Sequence, residues 1–177
     1  MSDSAESRLI FGPLFRKLNR PAFSSGVASL DTYLHRQAMQ DVDRDATAAF
    51  VLFDPTDGTI AGYYTLGAYV LDPGELPEDV ARRLPDYPLL PAVLIGRLAV
   101  DTRFQGQGLG ALLLYDALRQ ALEHSPVIAA VAVVVDALDD SARAFYERHD
   151  FIPFPSNPLK LYLPMKTIRQ MQRSQQR

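Results

Sequence analysis

Apolar residues at Leu30, Tyr33, Leu34 and Ala38 recur at three- and four-residue steps, which predicts one amphipathic helix from Ser29 to about Gln40. Ala48–Phe53 and Ile60–Val70 are apolar and aromatic runs separated by the turn-forming Asp54-Pro55-Thr56-Asp57-Gly58, the pattern of an antiparallel hairpin. From residue 72 to 91 the chain is rich in proline, at Pro73, Pro77, Pro85, Pro88 and Pro91. Proline removes a backbone donor and breaks helices, so this stretch predicts an irregular excursion with at most a short helix over Glu78–Arg83. Val93–Val100 resumes as a strand. Gly108–Glu123 follows as a helix with Leu109, Leu112, Leu113, Ala117 and Leu118 or Ala121 on one face. Val127–Val135 is a continuous apolar run, polar only beyond its end, and reads as a strand covered on both faces. Asp139 or Asp140 caps a further helix through Arg148, and Phe151–Phe154 and Leu159–Leu163 close the sheet. The fold class is α/β (α+β), a single domain over residues 1–177 with a basic tail from about residue 166.

Composition narrows the chemistry. The 177 residues contain no cysteine, which excludes disulfides, zinc thiolates and cysteine nucleophiles. His35, His124 and His149 stand far apart and in no metal-ligand spacing, so no metal is expected. The segment Met1–Ser7 is polar and acidic rather than basic then apolar, which argues against export. The longest apolar run, Val127–Val135, is about half of the roughly 20 residues a spanning helix needs. A cytoplasmic protein without a membrane partner is the expectation. Net charge is −3, which argues weakly against a nucleic-acid partner engaged by bulk charge. The charge is uneven, however. Arg8, Arg16, Lys17 and Arg20 lie near one end, and Lys160, Lys166, Arg169, Arg173 and Arg177 near the other.

The strand ending at Val100-Asp101 runs into Arg103-Phe104-Gln105-Gly106-Gln107-Gly108-Leu109-Gly110 and then an apolar helix. Glycines let the backbone turn sharply and approach an anion closely, while unpaired N–H groups and the helix dipole attract it. Arg103 adds a formal charge at the same end. The segment is therefore a candidate pyrophosphate loop. A P-loop would require Gly-Lys-Ser/Thr where this chain has Leu109-Gly110-Ala111. A dinucleotide fold wants Gly-x-Gly-x-x-Gly, whereas the glycines here run Gly-x-Gly-x-Gly, although Asp136 offers the acid at the end of the next strand. That fold is the runner-up enzyme class.

Arg103-x-x-Gly106-x-Gly108 following Gly96-Arg97-Leu98-Ala99-Val100-Asp101 resembles the acetyl-CoA motif of the GNAT acetyltransferase superfamily. The resemblance implies a GNAT fold: a mixed central sheet with antiparallel N-terminal strands and a splayed parallel pair, Val93–Val100 and Val127–Val135, flanked by helices. It implies acetyl-CoA as co-substrate, with its pyrophosphate on Arg103, Gln105, Gly106, Gln107, Gly108, Leu109 and Gly110 and its pantetheine arm along Leu98, Ala99 and Val100. Further pieces resemble the GNAT toxins of bacterial toxin-antitoxin operons. They are Phe23-Ser24-Ser25-Gly26, Leu30-Asp31-x-Tyr33-Leu34 with Ala38, Gly62-Tyr63-Tyr64-Thr65-Leu66, Asp86-Tyr87-Pro88, Val135-Asp136-Ala137, Ala142, Phe145-Tyr146 and Leu161-Tyr162-Leu163-Pro164. This likeness spans roughly residues 23–168 and rests on the order of short pieces. It implies acetylation of the α-amine of aminoacyl-tRNA, a ribbon-helix-helix antitoxin partner and a homodimer. Asp150-Phe151 departs from the family's common Gly-Phe, and an aspartate there must take the left-handed conformation.

Transfer of acetyl from a thioester to an amine needs a neutral amine, a polarised carbonyl and a proton for the departing thiolate. By resemblance Tyr146 is the donor of that proton, and a phenol of reference pKa about 10 stays protonated at neutral pH. An aminoacyl α-amine, at or below about 8, needs no strong base, whereas a lysine acceptor at about 10.4 would need one, with Asp136 or Glu147 nearest in sequence. Arg97, within an apolar strand, is expected to face a carboxylate or the substrate. Tyr63 and Tyr64 are candidates to line the acceptor cleft. Two alternatives share the cofactor loop: an acetyltransferase of small-molecule or protein amines, and a non-catalytic acyl-CoA-binding module.

Overall fold

The computed structural model describes residues 8–176; the polar segment Met1–Ser7 and Arg177 lie outside it. The described chain forms two compact units. The first runs to Leu66 and resumes over Arg97–Tyr115, and the second comprises Gly67–Gly96 and the chain from Asp116 onward. The strands are β1 (Ile10–Pro13), β2 (Ala48–Phe53), β3 (Ile60–Leu71), β4 (Leu90–Val100), β5 (Ala132–Asp136), β6 (Ile152–Phe154) and β7 (Asn157–Pro164). Their hydrogen-bonded order is β1-β2-β3-β4-β5-β7-β6, with β4 and β5 parallel and β1-β2, β2-β3, β5-β7 and β6-β7 antiparallel. This is the mixed sheet expected, extended by β1, which the sequence reading missed. β1 is only four residues long, too short for alternation to declare itself, and pairing with β2 through Ile10↔Phe53 stabilises it.

In the first unit the predicted amphipathic helix forms in three pieces: α1 (Ala28–Thr32), a π-helical turn (Tyr33–Gln37) and α2 (Ala38–Asp43). Leu30, Tyr33, Leu34 and Ala38 are all buried as their spacing implied, in one core with Val51, Phe53, Ile60, Tyr63 and Ala99. The π turn is a local widening that periodicity does not report. Gly62 on β3 marks the tightest approach: a Cβ there would lie 2.6 Å from Leu113 Cδ1 and 3.0 Å from the Ala99 carbonyl.

In the second unit Leu71, Leu76, Leu90, Ala92, Val134, Phe154 and Tyr162 form the core. The short helix in the excursion is α3 (Glu78–Ala81). The predicted strand over 127–135 is corrected to β5, since Val127 and Ile128 are 84% and 77% exposed. Both residues are still turning off the preceding helix, their N–H groups bonded to the His124 carbonyl at 3.0 Å. A β-branched run fits a strand, but the chain must first leave that helix, and sheet pairing starts at Val131, which donates to the Pro91 carbonyl at 2.9 Å. Asp139 caps α5 (Asp140–Arg148) by accepting from Ala142 N, and Asp150 takes φ 68° as its place after that helix requires. The basic tail is α6 (Met165–Gln175), which buries Met165 and Ile168.

Candidate active site

In the first unit, β4 ends in a 3₁₀ turn over Thr102–Phe104, and α4 (Leu109–His124) begins a few residues later. Between them Gly106 and Gly108 both hold φ 78°, a conformation that carries a steric penalty for any residue with a Cβ. Nothing lies within 4 Å of where a Cβ would sit at either position, so the space over the loop is open. Among the described residues, no backbone carbonyl accepts from the N–H groups of Gly106, Gln107, Gly108, Leu109 or Gly110. Five donors at the positive end of a 16-residue helix form a cradle for an anion.

Asp101 fixes the cradle's entrance. Its carboxylate is 1% exposed and accepts from Ser24 N at 3.0 Å, Arg103 N at 2.9 Å, Arg103 Nε at 2.8 Å and Arg103 Nη2 at 3.1 Å. Burial alone would raise its pKa, but the hydrogen bonds from Arg103 and Ser24 outweigh that and hold it below the ordinary 3.8. Arg103, expected to offer its charge to the pyrophosphate, is thus tied back to Asp101 while half-exposed. Gln105 spends its side-chain amide on the carbonyls of Ser25 (2.9 Å) and Val100 (3.0 Å), leaving its backbone as the group available to a ligand. Thr102 N donates to the Ser24 carbonyl at 2.8 Å, so Ser24-Ser25 and the loop are stitched together.

Along β4 the ladder to β5 stops at Ile95↔Val135, while β4 continues to Val100. Asp101 N bonds the Ala61 carbonyl on β3 at 2.8 Å. Because backbone groups alternate along a strand, Ala99 also turns toward β3, and Leu98 and Val100 turn away from it. Of the three residues expected to pair with a pantetheine arm, Leu98 and Val100 have the suitable orientation. Arg97 does not face a carboxylate: its guanidinium carbon lies 3.5 Å from the centroid of the Tyr33 ring. Burial, reinforced by a 2.9 Å hydrogen bond to Asp41, raises the Tyr33 pKa to about 12. Tyr63 and Tyr64 are both fully buried. The Tyr63 hydroxyl donates to the Leu30 carbonyl at 2.7 Å and the Tyr64 ring stacks on Phe50 at 5.2 Å, so both rings are packed inside the first unit.

In the second unit Tyr146 sits on α5, 7% exposed, with the rings of Phe145 and Phe151 at 5.2 and 5.4 Å. Burial pushes its pKa upward, and no charged group contributes. The hydroxyl therefore stays protonated throughout the physiological range. Glu147 is paired with Arg143 at 2.7 Å and is not poised as a free base, while Asp136 is exposed at the end of β5, in register with Lys160 on β7.

The family model described as Acetyltransferase (GNAT) family matches residues 13–151. The chain belongs to the GNAT acetyltransferase family. As a member it takes acetyl-CoA as co-substrate, and the open N–H cradle of Gly106–Gly110 fits a pyrophosphate. This GNAT acetyltransferase is 40% identical over 148 residues to the tRNA-acetylating toxin of Mycobacterium tuberculosis, covering 84% of this chain and 87% of that protein. To the probable toxin TacT of Sinorhizobium fredii it is 28% identical over 179 aligned residues, covering 97% and 99%. Among solved structures it resembles a tyrosine-to-phenylalanine mutant of KacT, with TM-score 0.87, 29% identity, and 92% and 98% of the two chains covered. AtaT complexed with acetyl-methionyl-tRNAfMet gives TM-score 0.87 at 28% identity, with 93% and 99% covered.

Several functional contacts of this GNAT acetyltransferase escaped the sequence reading. The Asp101–Ser24 and Gln105–Ser25 bonds join residues 77 and 80 positions apart, and only the recurrence of Ser24-Ser25 in the toxin-like pattern hinted at them. Lys160, counted in a basic end of the chain, is withdrawn from solvent. Its ammonium lies over the Tyr69 and Phe154 rings at 4.8 and 5.3 Å and 3.8 Å from Glu75, and a hydrogen bond to Tyr69 raises its pKa. On α6, Lys166, Arg169 and Arg173 are exposed and have no ion-pair partner among the described residues. Among the described residues there is no group of acids and histidines suited to a metal, and no helix long and apolar enough to cross a membrane.

Proposed function

We propose that this acetyltransferase modifies the α-amine of aminoacyl-tRNA as the toxin of a toxin-antitoxin pair. The observation that carries the acceptor is the 40% identity to a tRNA-acetylating toxin across 84% of the chain. It is supported by the likeness to AtaT in complex with acetyl-methionyl-tRNAfMet. Lys166, Arg169 and Arg173 recur at steps of three and four on α6, so they form one positive stripe on a helix without an acid, suited to RNA phosphates. In this reading one functional domain, acting in the cytoplasm as a homodimer, is silenced by a ribbon-helix-helix antitoxin. The complex of AtaT with the C-terminus of the antitoxin AtaR supports an antitoxin partner.

Chemically, the amides of Gln105–Gly110 hold the pyrophosphate, and the outward backbone groups of Leu98 and the N–H of Val100 align the pantetheine arm. The incoming α-amine, at or below about pKa 8, attacks as the neutral base without a dedicated carboxylate. Tyr146 gives its proton to the departing sulfur and is restored by the proton released from nitrogen, so one proton passes from nitrogen to sulfur and the phenol is unchanged. Tyrosine-to-phenylalanine mutants of KacT and AtaT are among the solved structures that this chain resembles.

The test is acetylation of charged tRNAs by the purified protein with acetyl-CoA across a salt series. Charged tRNA should be acetylated, and activity should fall steeply with salt. Neutralising Lys166, Arg169 and Arg173 together should flatten that slope. Acetylation of free amines or peptides with every charged tRNA left unmodified would refute the acceptor assignment.

A further inference from the structure

We infer that Arg97 contacts a phosphodiester of the RNA acceptor, with its guanidinium held flat by Tyr33; this rests on the aminoacyl-tRNA reading above. Arg97 is half-buried on β4 and shares a strand face with Ala99, which packs into the core of the first unit. A half-buried guanidinium can spend its donors on carboxylates, carbonyls or water. Among the described residues Arg97 has no carboxylate or carbonyl acceptor, and none of its nitrogens is fully buried without a partner, so its donors reach solvent. Its contact is the face of Tyr33, 3.5 Å away.

That face is fixed. The Tyr33 hydroxyl donates to Asp41 Oδ2 at 2.9 Å, which occupies the nearby acid. The ring stacks on Tyr63 at 6.5 Å and 19°, and Tyr63 is anchored in turn through its 2.7 Å bond to the Leu30 carbonyl. Tyr33 also opens the π-helical turn Tyr33–Gln37, a departure from α-geometry frequent at functional sites. Stacking occupies the plane of a guanidinium and leaves its edge, a rigid fork of N–H donors that matches two phosphate oxygens. The pose therefore presents that fork, already oriented, to an anion.

The anion belongs to the acceptor rather than the cofactor. From Arg97 to Val100 the strand spans about 10 Å, which sets Arg97 three residues back from the strand end that leads into the pyrophosphate cradle. In an aminoacyl-RNA the amino acid's carboxyl is esterified, so the anions near the reacting amine are phosphodiesters. Arg97 would thus position the charged 3′ end and discriminate RNA-linked amines from free ones.

Two acceptors separate these roles: 3′-aminoacyl-adenosine, which carries the amine and ester but no phosphodiester, and an aminoacylated RNA minihelix. Steady-state kinetics of wild type, Arg97→Gln and Arg97→Lys on both, with the acetyl-CoA Kd by calorimetry, provide the test. We expect Arg97→Gln to raise KM for the minihelix at least about tenfold more than for aminoacyl-adenosine, the scale of one lost charge-assisted hydrogen bond. The effect on kcat should be small, and Arg97→Lys should recover only part of the loss because it keeps the charge without the fork. Equal KM changes on both acceptors, or none on either, would overturn the phosphodiester contact. If Arg97→Gln loses acetyl-CoA binding, Arg97→Lys decides by the same comparison. A wild-type enzyme inert on the charged minihelix while acetylating other amines overturns the aminoacyl-tRNA reading and this contact with it. An active wild type whose variants ignore the phosphodiester overturns the contact alone.

Discussion

Replacing Asp101 by asparagine tests whether one buried carboxylate holds the entrance to the acetyl-CoA loop. In the wild type its two oxygens accept four hydrogen bonds, three of them from Arg103 and one from Ser24 N. An asparagine keeps one accepting oxygen and turns an NH₂ toward groups that are themselves donors. The Arg103 side chain is 52% exposed, so its share of the ion pair is screened and contributes only about 0.2–1 kcal/mol. Most of the loss comes from a main-chain N–H left without its acceptor, about 1–3 kcal/mol. Together these give roughly 2–3 kcal/mol at neutral pH, or a urea midpoint lowered by about 1 M if m is near 2 kcal/mol/M. The chain has no tryptophan, so far-UV circular dichroism is the convenient probe. The pH dependence adds a second check. The folded carboxyl titrates below the ordinary 3.8, so its contribution is fully present above that value and lost as pH falls through the folded pKa. The gap between wild type and variant should be constant near pH 7, begin to close below about pH 4 and shrink toward pH 2. A variant within about 0.5 kcal/mol of wild type at pH 7, or a gap that does not narrow in acid, would refute the reasoning.

Gly108→Ala meets no neighbour but must hold φ 78°, at a cost of about 1–2 kcal/mol, and calorimetry should show the acetyl-CoA Kd rising tenfold or more; an unchanged Kd would remove the loop from cofactor binding. Tyr146→Phe keeps the packing against Phe145 and Phe151 and removes the donated proton, so turnover should fall by roughly 10² with acetyl-CoA binding intact. Unchanged turnover would assign the proton to water or another group. Among the described residues the buried Tyr162 hydroxyl has no hydrogen-bond partner, so Tyr162→Phe should leave stability unchanged or raise it by about 1 kcal/mol in urea unfolding, and a loss of that size would contradict its orphan state.

Features decided by neighbours along the chain were legible in the sequence. Glycine at 106 and 108 anticipated the turns of positive φ, Asp139 the helix cap, and Asp150 the left-handed residue before Phe151. In each case a torsion or a hydrogen bond to a residue within a few positions sets the outcome, and residue type alone carries that preference. The periodicity of Leu30, Tyr33, Leu34 and Ala38 likewise identified a buried face. An apolar run was less informative. Val127–Val135 has the composition of one strand, yet its first residues complete the turn after α4, because hydrophobicity does not say where a sheet partner begins.

Tertiary structure decided how the site's charges are spent. In sequence Arg103 is a cation beside a phosphate loop, Arg97 an arginine expected to face a carboxylate or the substrate, Lys160 a surface charge and Tyr63 a candidate cleft residue. The fold ties Arg103 to Asp101, lays Arg97 on Tyr33, cages Lys160 between Tyr69 and Phe154, and buries Tyr63 against Phe23 and Tyr33. Most of these partners lie tens of positions apart. Residue type sets what a side chain can bind, but which group reaches it depends on strand order and on the packing of the core. The charge and torsional preferences and the open donors at the start of α4 were therefore fixed by the chain itself, while exposure, side-chain pairing and the pose of Arg97 on Tyr33 arose only when distant segments were brought into contact.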